Sequence, residues 1–513
     1  MFDHRITRRR FLGTSAAALA TTAVPFNPVF SAEGDTLTVR VTADIGNLDP
    51  AFWQNIGDLW TIDSIHPKLI IFKPGNKYEW ELYGAEMIEA VDAQNIKFKL
   101  RPGMMWTNGY GEVTTEDVKY SFERYLDEEL ASPIAGNWAL LDRVDIEDKY
   151  TGTIVFNKPF SPVWWYVLPY ASGGIVCKVA VEEVGGKFTL DPPATAGPYK
   201  LTEYAAQQRI VLEAHDGWNG PKPEFTKIVM LPIVDSKAAE RGLETGEIEF
   251  SRISASSVPS YLQNMPSGLK MDVRPSPSYF WLGLNVQHPK LADEAVRRAI
   301  IKVVDVDAIL EGAFFGVAER ATGMASKGLL GYRETTPEPR DVEGAKKLMS
   351  DAGVSELSLD LEVVAETDRL TAAQIIQANL AEIGIDLQIN SHDQGAFWSL
   401  GDEKGKDLQL QLKQFTSPPD MSWSTQWFLP EQAGIWNWEY LDSPQFVDLH
   451  YAAMQEIDLE KRHELLVEIQ DVMDASAGYL WITNPPIPVM WSKQIVPAMK
   501  PNGDPRFELF RKA

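Results

Sequence analysis

Residues 357–389 read LSLDLEVVAETDRLTAAQIIQANLAEIGIDLQI, and this stretch decides the fold class. Apolar and polar residues alternate over 357–363, which is the pattern of a half-buried strand. Apolar residues then recur at helical spacing over 370–383 until Gly384, a residue type that often ends a helix. Alternation returns over 385–389. A strand, a helix and a second strand in this order form a βαβ unit with parallel pairing, so we predict an α/β fold.

A second stretch, residues 96–126, reads IKFKLRPGMMWTNGYGEVTTEDVKYSFERYL. It begins as an alternating strand, turns at 101–103, and enters a helix through a capping box at 114–117. The sequence of this stretch closely resembles the signature of the peptide/nickel class (family 5) of ABC-transporter solute-binding proteins. The resemblance implies a protein that binds a solute outside the cytoplasm and hands it to a membrane permease, without catalysis.

The resemblance extends over nearly the whole chain. Further segments that are similar to the family follow in order at 46–51, 157–160, 191–201, 243–250, 293–305, 376–389 and 458–475. The family implies an α/β, two-lobed periplasmic-binding-protein fold of type II, with an extra subdomain in the first lobe. We expect lobe I at 33–284 with the subdomain at roughly 60–195, lobe II at 285–485, and a return to lobe I at 486–513.

Residues 1–32 are predicted to be a twin-arginine signal peptide. Residues 7–13, TRRRFLG, match the S/T-R-R-x-F-L-K export motif except at the last position, and an Ala-rich stretch and a small-residue cleavage region near 31–32 follow. The one cysteine, Cys177, allows neither an intramolecular disulfide nor a lipid anchor at the end of the signal. We therefore expect a free periplasmic protein.

Composition and charge narrow the function classes. At 513 residues with 44% hydrophobic and 23% charged residues, the chain is expected to be soluble and to form at least two domains. No apolar run of about 18 residues is present, so no membrane insertion is expected. The net charge of −24 disfavours nucleic-acid binding, which needs a basic face. We expect a monomer.

Enzyme motifs are missing or incomplete. The sequence has no Gly-x-Ser-x-Gly elbow and no His-Glu-x-x-His pattern, and the P-loop spacing at 323–328 is followed by Leu329 where lysine is required. The seven histidines are scattered, so we expect no metal site and no cofactor. A secreted hydrolase stays the alternative from another class.

A peptide held between two lobes needs an acid for its amino group and a cation for its carboxylate. In the family, the acid lies in a stretch that resembles residues 414–421 here. That register puts Ser417 at the amino-anchoring position and Asp420 at the second acidic position. Asp420 is either a substitute anchor or an ordinary turn residue after two prolines. Arg369 is the candidate carboxylate partner, with a solvated arginine at a helix start as the alternative.

Aromatic residues follow the same stretch. The chain has 16 tryptophans, several of them just after Asp420, and flat aromatic faces stack on sugar rings or hold cations. The candidate ligand-binding residues are Asp420, Arg369, Trp423, Trp427, Trp436, Phe415 and Ser417. The predicted solute is a di- or oligopeptide; an oligosaccharide or an opine-like sugar–amino-acid conjugate stays open, and nickel is less supported.

Overall fold

The computed structural model describes residues 35–513, so the predicted signal peptide at 1–32 lies outside the described residues. The strands are β1 (Thr36–Val41), β2 (Ile70–Phe72), β3 (Trp80–Leu82), β4 (Ala85–Ala90), β5 (Asn95–Leu100), β6 (Leu141–Ile146), β7 (Thr151–Phe156), β8 (Tyr199–Ala205), β9 (Arg209–Ala214), β10 (Lys227–Pro232), β11 (Phe250–Arg252), β12 (Leu269–Arg274), β13 (Ser278–Leu284), β14 (Leu357–Val364), β15 (Ile385–His392), β16 (Leu410–Thr416), β17 (Tyr479–Thr483), β18 (Ile487–Ser492), β19 (Ile495–Val496) and β20 (Arg511–Lys512).

The α-helices are α1 (Ile56–Ile65), α2 (Thr115–Glu123), α3 (Lys178–Glu183), α4 (Ser236–Thr245), α5 (Val258–Gln263), α6 (Glu294–Val303), α7 (Val306–Phe314), α8 (Val342–Asp351), α9 (Thr367–Ala381), α10 (Gln394–Lys404), α11 (Met421–Thr425), α12 (Pro444–Gln455) and α13 (Leu459–Ala475). Helices and strands are interleaved along the chain, which confirms the predicted α/β class. No helix in 35–513 is long and apolar enough to cross a membrane.

Two large sheets organise the molecule. The seven-stranded first sheet has the order β12-β18-β11-β1-β10-β9-β8, and β1 pairs in parallel with both β10 and β11. The five-stranded second sheet has the order β15-β14-β16-β13-β17, with β14 parallel to β15 and β16. Parallel strands in both sheets mean that each sheet has a carboxyl edge, beyond which loops and helix starts can gather functional side chains.

The βαβ unit predicted from residues 357–389 is confirmed. β14 and β15 pair in parallel from Leu357↔Ile385 to Val364↔His392, and α9 connects them. The helix begins three residues earlier than its apolar pattern, at Thr367. Gly384 has φ 80°, a left-handed conformation that glycine adopts without strain, and it turns the chain from the helix into β15.

A four-stranded antiparallel sheet, β4-β5-β7-β6, lies within the range predicted for the extra subdomain. The predicted capping box at the start of α2 is present: the Thr114 backbone N–H donates to the Asp117 carboxylate at 2.9 Å. The helix packs Phe122 on Trp138, both fully buried, with ring centroids 4.3 Å apart. The stretch 96–126 therefore supplies strand β5 of this sheet and the helix α2 that covers it.

The chain crosses between the large sheets twice. The first crossing lies at residues 275–277, because β13 pairs with β16 and β17 in the second sheet. β13 thus lies in the second sheet, next to the predicted end of lobe I at residue 284. The second crossing follows β17, and β18 rejoins the first sheet between β11 and β12. The lobe boundaries otherwise stay a prediction.

His66, just after α1, makes stability depend on pH with a definite sign. Its imidazole is fully buried, and its Nε2 lies 3.2 Å from the Leu48 carbonyl oxygen. Burial is the main cause that lowers the pKa of His66 to about 3. An unfolded histidine titrates near pH ~6.5. Between these values the unfolded chain binds a proton that the folded chain does not, so this stability is present above pH ~6.5 and falls as the pH drops toward 3.

We expect this group to remove about 2 kcal/mol of unfolding free energy between pH 7 and pH 5. Urea unfolding at the two pH values measures the loss. His66→Gln should lose less over the same interval, because glutamine does not titrate. Equal losses in the two proteins would contradict the assignment.

Candidate functional site

The carboxyl edges of the parallel strands point to the site, because ligands of open α/β sheets bind beyond such edges. In the first sheet this edge includes the end of β11, at Arg252. In the second sheet it includes the end of β16, at Thr416, and the start of α9 after β14. Of the predicted ligand residues, Arg369, Phe415 and Ser417 lie at this second edge.

Arg252 and Asp504 form a charged group at the edge of the first sheet. The Arg252 Nη2 donates to the Asp504 carboxylate at 2.6 Å, and the Trp60 Nε1–H donates to the same oxygen at 2.9 Å. The guanidinium lies 5.8 Å from the Trp60 ring centroid. Asp504 is buried, and the Arg252 side chain keeps 20% of its surface exposed. Sequence reasoning missed this group, since the two residues lie far apart in the chain.

The hydroxyls of Tyr78 and Tyr170 lie near the Arg252–Asp504 pair. Burial raises the pKa of Tyr78 well above its ordinary value; Asp504 and Tyr170 raise it further, and Arg252 opposes them. Tyr78 therefore stays a protonated hydrogen-bond donor. Its hydroxyl has no hydrogen-bond partner within residues 35–513. A buried donor without a partner is costly, and a ligand oxygen at this position would satisfy it.

A chain of aromatic side chains joins the two halves of the molecule. Trp53 contacts Tyr170 with centroids 5.5 Å apart, and Tyr170 contacts Tyr166 at 5.8 Å. Tyr166 contacts Trp423, from α11, at 5.1 Å. All four residues are partly exposed. Trp423 thus meets residues from the first part of the chain, which gives the predicted ligand residue a place between the lobes.

Further aromatic residues surround the same region, and we call them the interlobe aromatic cluster: Tyr78, Trp165, Tyr170, Phe415 and Trp427. All pack on one apolar core around Tyr279 and Trp281, whose side chains are buried. Tyr78, Trp165 and Tyr170 precede the second sheet in sequence, whereas Phe415 lies in β16 and Trp427 follows that strand. The Trp165 Nε1–H, like the Tyr78 hydroxyl, is buried without a partner in the described part of the chain.

Arg369 lies in the first turn of α9 and is only 8% exposed. Its Nη2 donates to the amide oxygen of Gln414 at 2.7 Å, and the guanidinium lies 4.5 Å from the Phe280 ring centroid. The Asp368 carboxylate approaches Nη1 to 3.2 Å without making a hydrogen bond, and Nη1 has no other partner in 35–513. Burial lowers the pKa of Arg369, and the nearby Asp368 and Glu366 carboxylates oppose this shift.

Asp420 is engaged inside the protein. Its two carboxylate oxygens accept from Arg462 Nη2 at 3.0 and 2.7 Å, and it caps α11 by accepting from the Trp423 backbone N–H at 3.1 Å. The side chains of Asp420 and Arg462 are 0% and 1% exposed. Both Asp420 oxygens thus already serve an internal ion pair and a helix cap, so its role as a ligand anchor stays a prediction.

The Ser417 side chain, at the edge of the second sheet, also makes hydrogen bonds inside the protein. It is 5% exposed, its hydroxyl donates to the Pro418 carbonyl at 2.8 Å, and it bonds to the Ser424 hydroxyl. No charge accompanies it. The position that the family resemblance makes amino-anchoring is thus occupied by a neutral, internally bonded side chain.

A second buried ion pair, missed from the sequence, lies at the base of residues 414–440, which we call the tryptophan loop. Lys413 and Glu439 are both 0% exposed with their charged atoms 3.1 Å apart. The Lys413 Nζ also donates to the Trp436 carbonyl at 3.1 Å, and Glu439 accepts from the Trp281 Nε1–H at 2.8 Å. Burial lowers the pKa of Lys413 against the opposing charge of Glu439. The pair fixes the loop that carries Trp427 and Trp436, whose rings lie 5.8 Å apart.

A cavity of about 370 Å³ lies at the crossings between the sheets. Its walls come from the first sheet at 272–275, from the second crossing at 484–486, and from the loop at 317–332. A rotation of one sheet against the other would change its shape. Within residues 35–513, no group of three His, Cys, Asp or Glu side chains is arranged to hold a metal ion.

The two sheets, the two crossings and the aromatic groups between them define a two-lobed binding protein. Comparison with known proteins agrees. The model of the bacterial extracellular solute-binding proteins, family 5, matches residues 85–435. The chain belongs to this family of solute-binding proteins. Its role is to capture a solute outside the cytoplasm and deliver it to the permease of an ABC importer.

Curated relatives cover most of the chain. It is 24% identical over 462 residues to the dipeptide-binding protein of Escherichia coli, covering 82% of this chain and 83% of the relative. It is 23% identical over 488 residues to the glutathione-binding protein GsiB of Pectobacterium atrosepticum, covering 93% and 92%.

Solved structures share the fold. The periplasmic binding protein DppA of Helicobacter pylori, in complex with the peptide STSA, has a TM-score of 0.72 at 23% identity, covering 93% of this chain and 98% of the other. HbpA2 of Haemophilus parasuis has a TM-score of 0.83 at 21% identity, covering 93% and 100%. At these identities the likeness supports the two-lobed fold.

Proposed function

We propose that this chain captures a short peptide between its lobes and passes it to the ABC permease. The observation that carries the proposal is Arg369, a buried guanidinium at the carboxyl edge of the second sheet whose Nη1 has no hydrogen-bond partner among the described residues. A peptide carboxylate would accept hydrogen bonds from these free N–H groups. Relatives that are named for binding dipeptides or glutathione support this choice.

Other groups suit the remaining parts of a peptide. The Tyr78 hydroxyl and the Trp165 N–H are buried donors without partners among the described residues, and they fit peptide carbonyl oxygens. Trp423, Trp427 and Phe415 are partly exposed aromatic walls that fit apolar side chains. In this proposal Asp420 and Ser417 support the wall without contacting the solute, and Trp436 orients Trp427 through their ring contact.

A thermal-shift and calorimetric screen tests the proposal. The mature protein is titrated with the peptide STSA, dipeptides and glutathione, and in parallel with oligosaccharides, an opine and Ni²⁺. We expect a peptide to raise the melting temperature; at 100 times its dissociation constant it should stabilise the fold by about 2.7 kcal/mol. A shift from a saccharide or an opine, with none from any peptide, would overturn the peptide assignment while leaving the binding role intact.

The chain is also proposed to be a periplasmic monomer that is exported by the twin-arginine route. Replacing Arg8 and Arg9 together by lysine should leave uncleaved precursor in the cytoplasm, because the motif requires both arginines. Arg10→Lys, at the variable position of the motif, is the matched control and should be exported normally. Fractionation followed by immunoblotting measures both. Normal export of the double variant would rule out this route.

A further inference from the structure

Every buried carboxylate of residues 35–513 already has an internal partner. The groups are Asp49, Asp58, Asp63, Asp117, Glu240, Glu362, Asp420, Glu439, Asp504 and Glu508. Most of them pair with a lysine or an arginine. Asp58 and Asp117 accept backbone N–H bonds instead. No deeply buried acid is therefore left for a cationic group of a solute.

The acids at the carboxyl edges are engaged as well. Beyond β1, Asp44 accepts from the Tyr204 hydroxyl at 3.1 Å and from a backbone N–H. Beyond β14, Glu366 and Asp368 lie 3.8 and 3.2 Å from the Arg369 guanidinium. Beyond β15, Asp393 caps α10. A solute ammonium at this edge would have to compete with an arginine or a helix start for each carboxylate.

The buried acids of the tryptophan loop also have internal partners. Between residues 414 and 440 the buried acids are Asp420 and Glu439, and each faces a fully buried cation, Arg462 or Lys413. Separating such a pair strands a charge in the interior, which is strongly unfavourable. A solute amine cannot recover that energy with one new ion pair of the same kind. Neither acid is thus available to a solute.

Two guanidinium groups with N–H donors that lack a partner in 35–513 lie at the carboxyl edges of the two sheets. Arg369 lacks a full complement of acceptors, and Arg252 stays 20% exposed beside Asp504. The aromatic chain of Trp53, Tyr170, Tyr166 and Trp423 adds apolar surface without charge. A solute carboxylate could accept hydrogen bonds from these guanidinium groups. An ammonium buried there without a counter-charge would lose its hydration for no ion pair in return.

We infer that the solute is recognised through its carboxylate and not through an ion-paired amino group, so peptides and amino-acid conjugates with a substituted amine belong to its solute class. The inference rests on the proposed function and refines it. An acyl group on the nitrogen, or its closure into a lactam, removes the charge and adds apolar surface, which can pack on the aromatic side chains. Blocking the amine should therefore be tolerated.

Isothermal titration of the mature protein with the tripeptide alanyl-phenylalanyl-alanine and its N-acetyl form tests the inference. We expect the two dissociation constants to agree within about threefold, or the acetylated form to bind more tightly. A charge-assisted bond to the amine would make acetylation weaken binding by roughly tenfold or more. That result would overturn the inference and leave peptide binding intact. Binding of neither form, nor of any peptide in the wider screen, would instead overturn the proposed function and the inference with it.

Two variants test whether a buried acid of the tryptophan loop binds the solute amine. Asp420→Asn and Glu439→Gln each remove one charge, and the measured quantity is the ratio of affinities for the free and acetylated peptides. We expect this ratio to stay unchanged in both variants, even where the affinities themselves fall. A ratio that moves toward the acetylated form in one variant would show that its acid holds the amine. Measurement well below each variant's melting temperature keeps the protein folded, and the wild-type comparison decides the question if a variant does not fold.

Discussion

Replacing Arg462 with methionine is expected to lower the free energy of unfolding by about 3–5 kcal/mol. The guanidinium is 1% exposed and bonds to both Asp420 oxygens, to the Ser422 hydroxyl and to the Ala453 carbonyl. Removing it leaves the Asp420 carboxylate buried without a counter-charge. The methionine fills much of the volume, so the loss comes mainly from the stranded charge.

Urea unfolding at pH 7 measures the effect, and Arg298→Met is the matched control. Arg298 is also a helical arginine in an ion pair, with Glu294 four residues earlier, but both side chains are about half exposed. Exposed pairs contribute about 0–1 kcal/mol, so the control should lose little. Equal losses in the two variants would show that the Asp420–Arg462 pair contributes no more than a surface pair.

The double variant Asp420→Asn/Arg462→Met separates charge from packing. Asparagine keeps an acceptor for the cap of α11 but carries no charge, so the double variant should be more stable than Arg462→Met alone. The two changes lie within one network and should therefore be strongly non-additive. Additive losses would indicate that each residue acts through separate contacts.

The parts of the fold that were predictable from the sequence depend on local rules. The βαβ unit follows from periodicity over 357–389, and the start of α2 follows from the capping box at Thr114 and Asp117. Each signal lies within a few residues of the structure it specifies. The family resemblance then supplied the two lobes, which no local pattern could establish.

The charge partners in the site could not be predicted, because they lie far apart in the chain. Asp420 and Arg462 are 42 residues apart, and Arg252 and Asp504 are 252 apart. An aspartate after two prolines looks the same whether it anchors a solute or caps a helix. Only the folded chain shows that the Asp420 carboxylate pairs with Arg462. The sheet to which β13 belongs depends on equally distant residues, since its partners come from beyond residue 410.

Replacing Arg369 with glutamine is expected to weaken peptide binding by roughly 100-fold with little loss of stability. In the folded protein this guanidinium bonds to the neutral Gln414 and leaves Nη1 without a partner, and burial lowers its pKa. Its removal therefore strands no opposite charge, since Glu366 and Asp368 are partly exposed to solvent. We therefore expect the Arg369 guanidinium to contribute more to the affinity for a bound anion than to the stability of the fold.

The same titration with a peptide and its C-terminal amide shows whether Arg369 acts on the carboxylate. Wild-type protein should prefer the free acid by about tenfold or more, and Arg369→Gln should bind both forms with similar, weak affinity. Arg369→Lys should restore only part of the preference, because an ammonium cannot form the planar pair of bonds. Arg340→Gln, which removes a partly exposed guanidinium paired with Glu382 in the same lobe, should leave both affinities unchanged. Equal binding of acid and amide by the wild-type protein would instead place the carboxylate away from Arg369, and the partly exposed Arg252 beside Asp504 would then be the cation to replace.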